Sequence, residues 1–183
     1  MEVTEQDISL VHEMVREMAS EQFKQFGEAP PFFAAIGNKN PEKLEELTNI
    51  GGLPLKMERL TAGNGPVLIG FYLASVPTQL WHGIMSAVAA DIDATALVFT
   101  SATWIGVFPD NNGEGEQNAE EWYKDHSDLN EFPDKKKAIV LHVHHRDKPS
   151  TLEVAVIDDE TEELGKFTVE KGREAKGDIK WYT

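Results

Sequence analysis

The sequence contains no cysteine. Disulfides, thiolate zinc sites, iron–sulfur clusters and cysteine nucleophiles are therefore excluded, and any metal site must use histidine, aspartate or glutamate. Long hydrophobic runs are also missing, because the longest apolar stretches, residues 67–76 and 84–88, are far shorter than the roughly 20 residues that cross a bilayer. The acidic start, Met-Glu-Val-Thr-Glu-Gln-Asp, lacks the positive charge of a secretory signal. We therefore expect a cytoplasmic protein that does not bind membranes.

Basic residues are scarce as well. The chain has 17 lysines and arginines against 32 aspartates and glutamates, which gives a net charge of −15. Such a charge repels phosphate backbones, so we do not expect direct binding of nucleic acid. The only basic cluster, residues 135–137, lies where a strand is predicted to begin, and lysines there discourage edge-to-edge aggregation. An acidic surface that mimics nucleic acid remains an alternative on charge alone.

The length and composition predict one domain over residues 1–183. Apolar residues make up 40% of the chain, enough to build a core, and a second core would leave each half small. Residues 109–133 form a long polar segment, and loops of this length are usually functional or disordered. Residues 172–183 are mainly polar and are predicted to form a mobile tail.

The first predicted element is an amphipathic helix. From Ile8 onward, apolar residues such as Val11 and Val15 recur at helical spacing. Thr4 and Asp7 resemble a capping box at its start. A second helix with a wide apolar face is predicted after Pro77.

Alternating or continuous apolar runs predict the strands. A hairpin joins two of them through a Gly-Asn-Gly turn, and three others form an antiparallel meander. The run 95–108 is long for one strand, so we expect a bend or bulge near residues 101–103. The strands are predicted at 32–36, 53–60, 67–74, 95–108, 138–145, 152–157 and 166–169. The sequence therefore predicts an α+β fold, with a largely antiparallel sheet of about six to seven strands and two main helices packed on one face.

Two histidines form the sharpest pattern for chemistry. His142 and His144 are two residues apart on a predicted strand, so they project from the same face and could chelate one metal ion. Asp147, or a carboxylate of the long loop such as Asp110, would add an oxygen ligand. The alternative interpretation is a strand with a solvated or partly covered polar face. Apart from this candidate divalent metal, the sequence predicts no cofactor.

A hydroxyl-rich stretch precedes the long loop. Ser101, Thr103 and Trp104 follow one another closely, and small hydroxyls beside an indole can line a binding pocket. Serine catalysis is not indicated, because the Gly-x-Ser-x-Gly turn is missing. Alternatively, Trp104 is a core side chain and the hydroxyls complete hydrogen bonds of the sheet.

The long loop carries two large aromatics, Trp122 and Tyr123, among charged residues. Aromatics on a polar loop are typical anchors for a partner or ligand, and equally typical plugs that tie a loop to its own core. Both interpretations stay open for this pair.

The order of features resembles a group of small uncharacterised proteins of bacteria and bacteriophages. The resemblance rests on Pro30-Pro31 before a strand, on residues 101–104 before a variable acidic loop, and on Pro133-Asp134-Lys135 before another strand. The chain departs from the group by carrying three lysines where the group has an arginine. The resemblance implies a phage or bacterial accessory protein and identifies no site.

These patterns support three functional hypotheses. The leading one is a non-enzymatic binding or interaction protein that engages a protein or small ligand through the long loop and the Trp104 end of the sheet. The second is a metal-dependent hydrolase of a small or phosphorylated substrate, in which His142 and His144 hold a metal ion and water activated by that metal is the nucleophile. The third is the acidic nucleic-acid mimic. The sequence does not determine an oligomeric state.

Overall fold

The computed structural model describes residues 2–42, 56–59, 65–106 and 135–169. The predicted loop over 109–133 and the predicted tail over 172–183 lie outside these residues. In chain order the elements are α1 (Glu5–Phe26), β1 (Phe32–Gly37), β2 (Lys56–Arg59), β3 (Val67–Tyr72), α2 (Thr78–Asp91), β4 (Ala94–Gly106), β5 (Lys135–His145), β6 (Thr151–Val156) and β7 (Thr168–Val169).

The strands form one sheet in the order β2-β3-β1-β4-β5-β6-β7. Every neighbouring pair is antiparallel. The α+β class and the largely antiparallel sheet are therefore confirmed, as are the β2–β3 hairpin and the β5–β6–β7 meander. Neither described helix has the length and apolar character that crossing a membrane requires.

Helix α1 begins and ends as its sequence dictates. Thr4 donates its backbone N–H to the Asp7 carboxylate at 2.9 Å, while Asp7 donates its own N–H to the Thr4 hydroxyl. This is the predicted capping box. At the other end Gly27 adopts a left-handed conformation, φ 71°, and donates its N–H to the Phe23 carbonyl oxygen at 2.8 Å. Glycine tolerates this conformation without a Cβ penalty, so the helix ends there.

The two helices pack on opposite faces of the sheet, which corrects the expectation of one face. Core side chains of α1 pack with Phe32 and Ala34 of β1, whereas α2 packs with the alternate residues Phe33 and Ala35. We call these sides the α1 face and the α2 face. All residues of β1 are buried. A strand covered on both sides gives a continuous apolar run, as Phe32–Ile36 does, whereas one-sided burial gives alternation.

Strand β4 runs through the region where a bend was expected. Its register with β5 is unbroken from Ala96 to Gly106, because β5 is long enough to pair along this whole length. The strand is therefore not divided by a bulge near residues 101–103, and that expectation is wrong. The irregularity lies instead against β1, between Ile36 and Gly37. A Cβ at Gly37 would overlap the carbonyl oxygen of Ile92, so this close approach requires glycine.

Strand β4 is also longer than its neighbour on the other side. Pairing between β1 and β4 ends at Phe32 and Thr100, while pairing between β4 and β5 continues to Gly106 and Lys135. Six residues of β4, Ser101–Gly106, thus extend past the end of β1. We call this part of the strand the β4 extension.

Candidate functional site

A cleft of about 740 Å³ opens on the α1 face beside the β4 extension. The end of α1 forms one wall through Phe23, Lys24 and Gly27. Trp104 and Lys137, which are paired across β4 and β5, form the floor, and the turn between β6 and β7, residues 157–164, closes the other side. Pockets of 300–1,000 Å³ are typical of ligand sites.

The turn that closes the cleft is internally ordered. The Asp158 carboxylate accepts the backbone N–H groups of Glu160 and Thr161 at 2.9 and 2.8 Å, and the Thr161 hydroxyl at 3.0 Å. Hydrogen bonds from Thr161 and Glu160 hold the pKa of Asp158 below its usual range. Asp158 also donates its own N–H to the Glu163 carbonyl oxygen at 2.9 Å. The wall is therefore held in one shape before any ligand arrives.

Trp104 is the largest exposed side chain of the cleft floor. Its relative exposure is 46%, whereas Ala102, the preceding residue on the same face, is half-buried. The Lys135 ammonium lies 5.3 Å from the centre of the indole ring. This distance is within the range of a cation–π contact, so the Lys135 ammonium covers one face of the indole.

The cleft carries both signs of charge. Glu162 and Glu163 stand on the turn, and Lys24 and Lys137 stand opposite. Asp159 pairs with Lys136 at 2.9 Å. This mixture does not favour a lone phosphate or metal ion, which a cluster of one sign would attract. It suits a ligand that offers an apolar or polar surface to the indole.

Ser101 and Thr103 lie on β4 with Trp104 but face the other way. Strand alternation places both hydroxyl side chains on the α2 face, where Ser101 is half-buried and Thr103 is exposed. They share a strand with Trp104 and do not share its cleft. Thr100, which does lie on the α1 face, is buried and donates its hydroxyl to the Val140 carbonyl oxygen at 3.0 Å.

His142 and His144 project together from the α2 face, as their spacing predicted. Their ring centres are 5.6 Å apart and their planes are inclined by 29°, so the rings are stacked. His144 is buried, with 5% relative exposure, and its Nδ1 lies 3.1 Å from the Ser150 hydroxyl. Burial, together with the nearby His142 and His145, lowers the pKa of His144 to about 4. Burial also lowers the pKa of His142. Both imidazoles are therefore uncharged at neutral pH.

Neutral imidazoles can bind a metal, but these two rings face each other. Zinc requires one nitrogen of each ring at about 2.0–2.1 Å and at least one further protein ligand. Asp147 is exposed in the turn that follows β5. Within residues 2–42, 65–106 and 135–169, no group of three or more histidine, aspartate and glutamate side chains could hold a metal ion. Trp122, Tyr123 and Asp110 lie outside the described residues.

A buried charge cluster on the α1 face was not anticipated from the sequence. Glu153 of β6 is buried, with 5% relative exposure, and both of its carboxylate oxygens accept hydrogen bonds from the Arg16 guanidinium, at 2.7 and 3.0 Å. His12 Nε2 lies 3.4 Å from the same carboxylate. Burial is the main cause that lowers the pKa of His12, against the opposing effect of Glu153. Glu153 lies opposite the core residue Leu141 of β5, so its carboxylate is on the inner side of the α1 face.

The chain was compared with protein families, curated proteins and solved structures, and no family model, curated protein or solved structure matches it.

Proposed function

We propose that this protein is a non-enzymatic binding protein, and that the cleft around Trp104 engages a protein or a small ligand. The observation that carries the proposal is the indole of Trp104, 46% exposed on the floor of a cleft of about 740 Å³. Tryptophan is enriched among the residues that dominate binding energy, because it offers a large, rigid surface with a polar edge.

The rigidity of the cleft supports binding. The turn at residues 157–164 is fixed by its own hydrogen bonds, and the floor belongs to a continuous pair of strands. A preformed site does not lose ordering entropy when the ligand arrives, so more of the contact energy appears as affinity.

The titratable groups of the cleft support binding over catalysis. A general acid at neutral pH needs a carboxyl whose pKa is raised, whereas the pKa of Asp158 is lowered by its hydrogen bonds within the turn. The Thr161 hydroxyl donates to the same carboxylate and is therefore already engaged.

The resemblance to small bacterial and phage proteins supports the proposal that this is an accessory protein of a phage or bacterium. An accessory protein of a phage or bacterium acts by binding components of the cell, so we place the partner or ligand in the cytoplasm.

The test uses fluorine NMR on protein labelled with 5-fluorotryptophan, which gives one resonance for each of the four tryptophans. The probes are a small-molecule fragment collection and random 12-residue peptides. We expect binders to shift the Trp104 resonance and leave that of Trp81 on α2 unchanged.

Variants complete the test. Trp104→Ala should weaken each binder at least tenfold. Leu80→Ala is the matched control, because Leu80 is 45% exposed on α2, away from the cleft. Binders with equal affinity for wild type and Trp104→Ala, or a screen without binders, would contradict the proposal.

A further inference from the structure

The backbone of the β4 extension has an edge that no described strand occupies. Arg146 donates its N–H to the Thr95 carbonyl oxygen at 3.0 Å, which shows that odd-numbered β4 residues hydrogen-bond to β5. The even-numbered residues therefore direct their N–H and C=O groups to the other side. Up to Thr100 this side pairs with β1. Beyond it, Ala102 and Trp104 direct their backbone groups outward.

In the part of the chain that the structure describes, no strand pairs with these groups. The pairing with β1 ends at Phe32, and only the Thr103 hydroxyl approaches the Trp104 carbonyl oxygen, at 3.5 Å, the outer limit of a hydrogen bond. An unpaired row of donors and acceptors on a strand is a template for another strand.

The composition of this edge differs from that of the two outer edges of the sheet. Proteins protect edge strands from unwanted pairing with charged residues, proline or very short length. Strand β2 has the sequence Lys-Met-Glu-Arg, with three charges in four residues, and β7 has only two residues. The β4 extension, Ser-Ala-Thr-Trp-Ile-Gly, has neither charge nor proline.

We propose that an extended peptide segment of a partner protein pairs with this edge as an added strand. The inference rests on the proposed function, because it names the kind of partner that the cleft takes. The backbone groups of Ala102 and Trp104, which pair with no strand among the described residues, give the hydrogen bonds. Side chains of the added strand that point to the α1 face lie beside Trp104 and enter the cleft, where specificity arises. Main-chain affinity combined with side-chain pockets is the usual form of recognition by strand addition.

The charge of the protein favours a different protein over a second copy as the source of the strand. Each copy has a net charge of −15, and charge of one sign opposes self-association. The β4 extension has no charged residue, so the segment that pairs with it needs no charged residue opposite this edge. A partner that is neutral or basic overall meets no such repulsion.

Amide exchange measured by NMR tests the geometry without any variant. In the free protein, the amides of Ala102 and Trp104 should exchange much faster than those of Ser101 and Thr103, which donate to β5. Peptides of 12 residues, selected from a random library against the wild-type protein, serve as the probe. Their binding should slow exchange at Ala102 and Trp104 by at least tenfold.

Ala102→Pro removes one outward N–H while the pairing with β5 stays intact, since proline is tolerated where its N–H faces an open edge. Selected peptides should bind this variant about tenfold more weakly. Ala102→Val is the matched control, because it adds bulk at the same site and retains the N–H. Its affinity should stay within about twofold, and thermal melting of both variants verifies that they fold.

The outcomes separate the two proposals. If Trp104→Ala abolishes binding while Ala102→Pro has no effect and the amides stay unprotected, strand addition is wrong and the proposed cleft function stands. If neither variant matters, both are wrong. If no peptide is selected, strand addition is wrong, and the fragment screen alone decides the proposed cleft function. If sedimentation shows a dimer that Ala102→Pro dissociates, the occupant is a second copy and the partner proposed here is wrong.

Discussion

On the α1 face, the buried carboxylate of Glu153 accepts two hydrogen bonds from the Arg16 guanidinium, whereas on the α2 face His142 and His144 are stacked and burial lowers the pKa of both. Both faces bury ionisable groups in an apolar sheet, and burial of an unpaired charge is costly. On the α1 face, Glu153 has a guanidinium as its partner. On the α2 face, the imidazole of His144 gives up its proton. Glu153 therefore depends on its interaction with Arg16, while the contribution of His144 to stability depends on pH.

The largest effect should come from removing the partner on the α1 face. Arg16→Ala leaves the Glu153 carboxylate buried without its guanidinium, and we expect the free energy of unfolding at pH 7 to fall by about 3–5 kcal/mol. Urea denaturation measures it. The double variant Arg16→Met/Glu153→Met should recover most of the loss, because an apolar pair replaces the charges. A loss below about 1 kcal/mol would mean that Glu153 finds another partner or a proton.

A slightly smaller effect should follow from acid on the α2 face. The pKa of His144 in the folded protein is about 4, below its unfolded value of about 6.5, so the unfolded state takes up the proton first as the pH falls. The contribution of His144 to stability is therefore fully present above pH 6.5 and decreases towards pH 4, by about 3 kcal/mol in total.

Urea denaturation at pH 7 and pH 4.5 checks this prediction. His144→Gln should lose less stability between the two pH values than the wild type. Equal slopes for the wild type and His144→Gln would show that His144 is not the group whose protonation destabilises this face.

The two described tryptophans, Trp81 on the α2 face and Trp104 on the α1 face, should differ in how much each contributes to stability. Trp81 is half-buried, packs against Phe99 with ring centres 6.0 Å apart and donates its indole N–H to the Val76 carbonyl oxygen at 2.8 Å. Trp81→Ala should therefore cost about 2 kcal/mol. Trp104→Ala should cost less than about 1 kcal/mol, because its ring is exposed. Thermal melting compares them, and a larger loss at Trp104 would identify it as a core residue.

The smallest effect should come from the exposed ion pair of Glu5 and Lys148, also on the α1 side. Both side chains are more than half exposed, at 68% and 53%, and solvent and salt screen such pairs. Glu5→Gln should leave the urea midpoint unchanged within experimental error, at low and at high salt. A decrease in the urea midpoint that is larger at low salt would show that this exposed ion pair contributes to stability, as the buried pair of Arg16 and Glu153 does.

The sequence predicted the described helices and strands well, because caps, turns and apolar periodicity depend on residues that are close together in the chain. The capping box at Thr4 and Asp7, the hairpin and the meander follow from residues adjacent in sequence. The helix placement did not follow, because the sequence shows which side of a helix is apolar but not which side of the sheet it covers. The continuous run at Phe32–Ile36 contained the missing information, since only a strand buried on both faces lacks polar alternation.

The candidate site was predicted in part for the same reason. Trp104 was identified from its residue type, but its cleft depends on the end of α1 and on the turn after β6, more than fifty residues away on either side. The pairing of Arg16 with Glu153 spans 137 residues and leaves no local pattern. The stacking of His142 on His144 depends on two residues of one strand, so their shared face was predictable.

The position of β1 has a consequence for synthesis on the ribosome. β1 precedes the other described strands in the chain, yet it lies between β3 and β4, and the last of its partner residues, Thr100, follows Phe32 by 68 positions. At translation rates of 5–20 residues per second, its apolar run waits for roughly 3–14 seconds before both neighbours exist. During that interval the apolar side chains of Phe32–Ile36 lack at least one of the two strands that bury them in the sheet.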